Sequence, residues 1–291
     1  MLPRRPRLTK PGLFITATDT GVGKTVATCA IAAALKQQGA GKVAVCKPFA
    51  SGCRREREGL VSEDAEAIAH FADCRAMLDV INPIRYARPL APAVAAELAG
   101  SPPDLEELVR CLEMLDREHD VTLIEGVGGL LVPLVPSDPQ VTVLDLITAI
   151  GYPVLIVARA GLGTLNHTAM TVRLLREAGC EIAGLIINGY IPDPGDPMMT
   201  NLHALEKASK SIGKSTATLP PAATLHIDTA DESMITNRRW LSRMNDVELL
   251  ATLPLCPAES VVPHRGLIPS AILDAAMLTQ WLDVVDAQAK G

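Results

Sequence analysis

The chain has 291 residues, 48% of them hydrophobic, enough to bury a full core in one large α/β domain or two small ones, and a single domain is the simpler reading. Its formal charge of -6 excludes a general attraction to nucleic acid or to an anionic membrane surface, so any phosphate binding has to be local. Seven cysteines (Cys29, Cys46, Cys53, Cys74, Cys111, Cys180 and Cys256), an odd set without a CxxC pair or a His-rich cluster, argue against a disulfide framework or a zinc site and favour a reducing cytoplasm.

Residues 1–12, MLPRRPRLTKPG, are basic, and the apolar run behind them is too short for a signal-peptide core; they read as a flexible tail ahead of one domain at 13–291. No run approaches the length of a membrane span. Short apolar, β-branched runs then alternate with helical patterns: LFITA (13–17), VAVCKP (43–48), VTLIEG (121–126), PVLIVAR (153–159), IAGLIING (182–189) and VELLATLP (247–254). Their hydrophobicity is nearly continuous, which predicts an α/β fold of three layers, a mostly parallel sheet with helices on both faces. Helices are predicted at 24–38, 62–72, from Asp104 with Glu107 as its capping-box partner, and at 164–178, 236–244 and 269–286.

The first strand runs into ATDTGVGKT (17–25) and then directly into a helix. Successive N–H groups and a helix N-terminus converge there on phosphate oxygens; Gly21 and Gly23 let the backbone come close, Lys24 holds the β/γ-phosphates and the Thr25 hydroxyl ligates Mg²⁺. The loop is a variant, with Thr18 where the strict G-x-x-x-x-G-K-[ST] spacing has glycine. A second match, ASKSIGKST (208–216), has no strand before it and TATLPP after it, so it is read as a decoy.

The 43–48 run leaves Lys47 at the carboxyl edge of the sheet, either a group that neutralises charge during phosphoryl transfer or a surface lysine. Asp64 opens a helix, where an acid also complements the helix dipole, and spacing alone favours that plain role. Glu125 ends the third run and is followed by Gly126, Gly128 and Gly129; an acid there suits a Mg²⁺-organising carboxylate, because ligands of open α/β sheets sit at that edge. Residues 190–235, rich in Pro, Asp, Ser, Thr and Met, read as a long surface excursion with one short helix at 200–211.

In their order and spacing, ATDTGVGKT, KPFASG, the acid of SEDAEAI, EGVGG, ARAGLGTLNHTAMT and IING resemble the dethiobiotin synthetase family over residues 13–190, with a weaker match near TNRRWL and LLATLP. The resemblance implies a P-loop NTPase-like fold and an ATP- and Mg²⁺-dependent cyclo-ligase that converts 7,8-diaminononanoate (7,8-diaminopelargonate) and CO₂ into a cyclic urea, through a carbamate and a carbamic-phosphoric anhydride. By matched position it implies Lys24 and Lys47 beside the transferred phosphoryl group, Thr25, Asp64 and Glu125 around Mg²⁺, and Thr20, Gly21, Val22, Gly23 and Gly128 along the nucleotide. Asn188, Pro254 and Leu255 would enclose the base, and Ser51 would meet the carbamate end of the substrate. It also implies a homodimer in which Gly163, Thr164, Leu165 and Asn166 reach the carboxylate of substrate bound by the other copy, while His167 is a packing or interface residue.

The sequence departs from the family at Ala17, usually glycine, at Ala91-Pro92-Ala93, where many members have Ser-Pro-His, and in the length of 190–235. Two rivals share the phosphate loop. A ligase of the cobyrinate amidase type needs a glutaminase domain with a nucleophilic Cys, for which the residues after Asn188 offer no elbow; a ParA/MinD-like partition ATPase usually starts its loop KGG, where this chain has Ala17, Thr18 and Asp19.

Overall fold

Consecutive residues of a strand point to opposite faces of the sheet, so a strand buried at every position needs cover on both sides. That is the condition of the central strands in the computed structural model, which describes residues 2–57, 59–191, 233–256 and 260–286. The strands are β1 (Gly12–Ala17), β2 (Val43–Cys46), β3 (Phe49–Ala50), β4 (Arg54–Glu56), β5 (Gly59–Val61), β6 (Ile84–Arg85), β7 (Val121–Glu125), β8 (Pro133–Val135), β9 (Asp138–Thr142), β10 (Val154–Arg159), β11 (Ile182–Tyr190) and β12 (Leu249–Pro254). The helices are α1 (Lys24–Gln37), α2 (Glu63–Ala72), α3 (Leu78–Ile81), α4 (Pro92–Ala99), α5 (Leu105–Glu118), α6 (Val143–Ile150), α7 (Thr164–Glu177), α8 (Ser233–Asn245), α9 (Ser270–Met277) and α10 (Trp281–Asp286).

All six predicted strand runs enter one sheet in the order β12-β11-β10-β1-β7-β2, and every pairing in it is parallel. β1, β2 and β7 are buried throughout. α1 packs with α2, α9 and α10, and α7 with α8, while side chains from β1 to α10 make one contiguous core. The order reverses on either side of β1, so the carboxyl ends of β1, β7 and β2 open on a shared crevice at a topological switch point.

Several local expectations change. Residues 2–11, expected as part of a flexible tail, are tied to α5: buried Asp116 accepts from Thr9 N (2.9 Å), Thr9 Oγ1 (2.9 Å) and Lys10 N (2.9 Å), and Glu113 accepts from Arg4 and from Arg7 N. Two acidic side chains of α5 are thus the anchors of this segment. Asp104 caps α5 through Glu107 N at 2.8 Å, but the Glu107 carboxylate turns to Arg110 instead of returning to the cap, so only half of the predicted box forms. A full box, Thr142 with Asp145, starts α6. The single helix expected at 269–286 breaks into α9 and α10, because Gln38 takes the free groups at the break, donating to Thr279 O (2.8 Å) and accepting from Trp281 N (2.8 Å). Two hairpins, β4-β5 and β8-β9, come in addition. Of the excursion expected at 190–235, residues 192–232 lie outside the described residues, with the decoy at 208–216 and the helix expected at 200–211; Tyr190 ends β11 and Ser233 opens α8.

Asp116→Ala should lower stability by about 2 kcal/mol through the loss of three part-buried hydrogen bonds, and should open the bonds after Arg4 and Arg7 to trypsin; an unchanged melting temperature with a protected N-terminus would refute the anchor. The Arg4 hydrogen bond, then the Arg7 N–H, hold the Glu113 carboxyl down at about 2. A depressed carboxylate contributes stability above its unfolded range and loses it as pH falls through the folded value, so this contact persists until close to pH 2. Arg4→Ala should return Glu113 to the ordinary carboxylate range in an NMR titration.

Candidate functional site

Because the sheet is parallel, motifs far apart in sequence arrive at one edge. β1 ends at Ala17, and Gly23, in the left-handed region at φ 94, is the N-cap of α1. A Cβ on Gly23 would lie 2.0 Å from Asn188 Nδ2, so the loop needs glycine there for space as well as for backbone freedom. Asn188 Nδ2 donates to Val22 O at 3.0 Å, binding the end of β11 to the loop. Lys24, buried, runs back under the loop and donates to Gly128 O (3.0 Å) and Asp19 O (3.3 Å). Gly128, at φ 59, has Thr20 Oγ1 3.3 Å from where its Cβ would be.

Glu125 is fully buried at the end of β7, in register with Ile15 of β1. Its Oε1 accepts from Thr25 Oγ1 (2.9 Å) and from Lys47 Nζ (2.5 Å), and its Oε2 is buried with no hydrogen-bond partner among the described residues. The Lys47 ammonium, also buried, reaches Asp64 Oδ2 at 2.9 Å, so it bridges the two carboxylates. The structure thus assembles Lys24, Thr25, Lys47, Asp64 and Glu125 in one cluster; of the two readings open for Lys47, a surface lysine is excluded.

The lysines differ in their electrostatics. Burial, followed by repulsion from Lys47, pulls Lys24 down to about 8. Burial also disfavours the Lys47 charge, but Glu125 and then Asp64 more than compensate and hold it above the ordinary lysine value. Burial pushes the Asp64 carboxyl up, yet Lys47 and the Thr25 hydroxyl outweigh this and leave it below its ordinary value. The donors gathered here, one hydroxyl and two carboxylates with a spare buried oxygen on Glu125, are hard oxygens that suit Mg²⁺ sharing its remaining positions with phosphate and water. Among the described residues there is no cluster of three or more His, Cys, Asp or Glu side chains that would suit a different metal.

Ser51 follows β3, half-buried, where Gly52 N meets Arg88 O at 3.2 Å. Pro254 and Leu255 end β12 beside Tyr190, with Leu255 N donating to Tyr190 O at 2.9 Å and its side chain exposed. Gly163 is the left-handed N-cap of α7, and Asn166 is exposed. Thr164 differs from expectation: it is fully buried with its hydroxyl facing Thr168 Oγ1 at 3.5 Å, so only its backbone faces the helix N-terminus. His167 Nδ1 lies 3.3 Å from Arg159 Nη2, a packing contact rather than a free base.

Sequence reading missed Arg159 at the end of β10; Asn237, buried on α8, whose amide donates to Ala160 O (2.8 Å) and Gly161 O (3.1 Å) and braces the turn into α7; and Asn82, which holds Lys47. Asn237 and Asn82 belong to no pattern with a chemical meaning of its own and act on backbone distant in sequence, whereas Arg159 meets the His167 side chain eight residues on. Ala91 is the N-cap of α4 without a side-chain bond and Pro92 takes the first helical turn, so the Ala-Pro-Ala departure leaves that helix start without polar side chains.

Comparison with known proteins adds a family. A family model described as an AAA domain matches residues 11–260. The ATP-dependent dethiobiotin synthetase BioD of Anaeromyxobacter sp. (strain K) is 45% identical over 189 residues, covering 64% of this chain and 81% of that one. The protein of the same name from Mycobacterium avium (strain 104) is 42% identical over 212 residues, covering 72% and 87%. Among solved structures, the MinC:MinD cell division protein complex of Aquifex aeolicus aligns at 14% identity and a TM-score of 0.49, covering 91% and 93%, a likeness that decides nothing about function.

Gly23→Ala should weaken Mg-ADP binding by about 10-fold or more, since the new methyl displaces Asn188 and strains the loop, with an unchanged circular dichroism spectrum; calorimetric affinity within about two-fold of the parent would contradict this loop geometry.

Proposed function

We propose, from the premise that this chain belongs to the family of ATP-dependent dethiobiotin synthetases, that the cluster around Glu125 passes the γ-phosphoryl group of ATP to a carbamate oxygen on 7,8-diaminononanoate. The chain is an ATP-dependent dethiobiotin synthetase, a cyclo-ligase. Identities of 45% and 42% to synthetases decide against the amidase and partition-ATPase alternatives.

The observation that carries the mechanism is the bridge of Thr25, Glu125, Lys47 and Asp64 directly behind the loop that holds Lys24. One substrate amine captures CO₂ as a carbamate, losing a proton. The N–H groups of Gly21, Val22, Gly23 and Lys24 at the start of α1 receive the phosphates, and Lys24 follows the β/γ-oxygens. Lys47, kept charged by two carboxylates, faces the charge that develops on the transferring group. Thr25, Asp64 and Glu125 would hold Mg²⁺, which when bound would offset the negative charge of the phosphate groups. The second amine then attacks the carbonyl carbon of the mixed anhydride, closes the ring and expels phosphate.

The remaining roles follow the same reading: Ser51 meets the carbamate end, and Asn188, Pro254 and Leu255 line the base. The N-terminal turn of α7, with exposed Asn166 and the backbone of Gly163 to Leu165, receives the substrate carboxylate, in a homodimer from the other copy. A cytoplasmic site of action fits seven free cysteines and the lack, among the described residues, of any helix long and apolar enough to cross a membrane.

Phosphate release from Mg-ATP should require both 7,8-diaminononanoate and bicarbonate and should vanish in Lys24→Ala. Lys47→Met should lower kcat by about 100-fold or more while leaving the KM for ATP within a few-fold. Nucleotide binding without turnover that depends on both co-substrates would sink the assignment.

A further inference from the structure

Lys47 sits where its strand changes neighbours. β2 pairs with β7 only as far as Cys46 opposite Ile124; beyond that the chain takes residues 81–86 as its hydrogen-bonding neighbour, with Ile84 N donating to Pro48 O (3.3 Å), Phe49 opposite Ile84 and Ala50 opposite Arg85. At the junction, Lys47 N donates to Ile81 O at 2.7 Å, and Lys47 O accepts from Asn82 Nδ2 at 2.5 Å. The Lys47 peptide groups are therefore held from both sides by the end of α3.

Asn82 is 1% exposed, and its Oδ1 is buried with no hydrogen-bond partner among the described residues. A buried amide with one end unpaired costs free energy, and an apolar side chain of similar size would serve packing better. What the amide supplies in return is a donor, at 3.4 Å to Ile84 O and far more closely to the carbonyl of the residue whose ammonium bridges Glu125 and Asp64. The next residue along, Pro48, has no N–H, so the backbone here has one hydrogen-bonding group fewer with which to fix itself.

We propose that Asn82 is a positioning residue for the phosphoryl transfer: by clamping the Lys47 carbonyl it fixes the direction in which the Lys47 side chain leaves the strand, and through the 81–88 segment it sets Ser51 in the same register. It touches neither nucleotide nor substrate. For its kinetic arm the proposal rests on the synthetase reading; its structural arm does not.

The test uses Asn82→Leu, which removes the donor and the unpaired oxygen together, and Asn82→Met, a second apolar side chain that lacks the donor. Each is measured for kcat, KM for ATP, Mg-ADP affinity and melting temperature. The Lys47 ammonium is followed directly in protein labelled with ¹⁵N at lysine Nζ, its resonance assigned by loss in Lys47→Arg. Both variants should lose about 10-fold or more in kcat with Mg-ADP affinity within about two-fold, and both should shift or broaden the Lys47 ammonium resonance. An unmoved resonance overturns the proposal. So does a fall in Mg-ADP affinity and melting temperature in step with kcat in both variants, which would make Asn82 a general packing residue. Absence of turnover dependent on both co-substrates in the parent protein would overturn the synthetase reading instead, and the Lys47 resonance would then decide the role of Asn82.

Discussion

The structure of the site depends on one buried carboxylate. Glu125 is fully enclosed between β1 and β2, and an isolated charge there would be neutralised rather than tolerated. It is sustained by a buried ammonium from β2's end and a hydroxyl from the first turn of α1, while Asp64 pairs with the same ammonium from its other side. Removing Lys47 or Glu125 leaves a buried charge without its counterpart, and a broken buried pair costs far more than an intact one contributes. The pair therefore ties β2 to β7, and Thr25 and Asp64 join α1 and α2 to it.

The parallel sheet makes such a set attainable. Lys24, Lys47, Asp64 and Glu125 span about a hundred residues of sequence, with α2 to α5 between the last two. In a parallel sheet each strand ends at the same edge, so the residue after each apolar run is delivered to one crevice without specific loop design. α2 supplies the exception: Asp64 comes from a helix start, with Ser62 as cap accepting from Ala65 N at 3.3 Å, and packing of α2 against α1 brings it over the edge.

This explains which features were legible in the sequence. The six central strands are apolar runs buried on both faces, and the loop before α1 is a glycine pattern with a direct chemical meaning, so both could be read without coordinates. Glu125 was legible because position at a strand's end decides its surroundings. Lys47 was ambiguous, since its burial depends on Asp64 and Glu125, neither of which is local. Asn82, Asn237 and Asp116 were illegible: each is a polar side chain bonded to a backbone group at least 35 residues away, and hydrogen bonds of that kind leave no periodicity. The same holds for the break between α9 and α10, where the helical pattern continues but Gln38, from the far end of α1, satisfies the interrupted backbone.

The two lysines divide the electrostatic work according to what surrounds them. Lys47 has fixed anionic neighbours, so its charge is held in place before any ligand arrives and its position is set by the backbone that α3 clamps. Among the described residues Lys24 donates to carbonyl oxygens alone, and burial and Lys47 both disfavour its charge. On the proposed function, a polyphosphate entering the loop would give Lys24 the close counter-charge that its hydrogen bonds do not supply. The same proposal gives the two lysines different tasks: one cation already paired, to act on charge that develops during the reaction, and one less compensated, to recognise charge that the substrate brings.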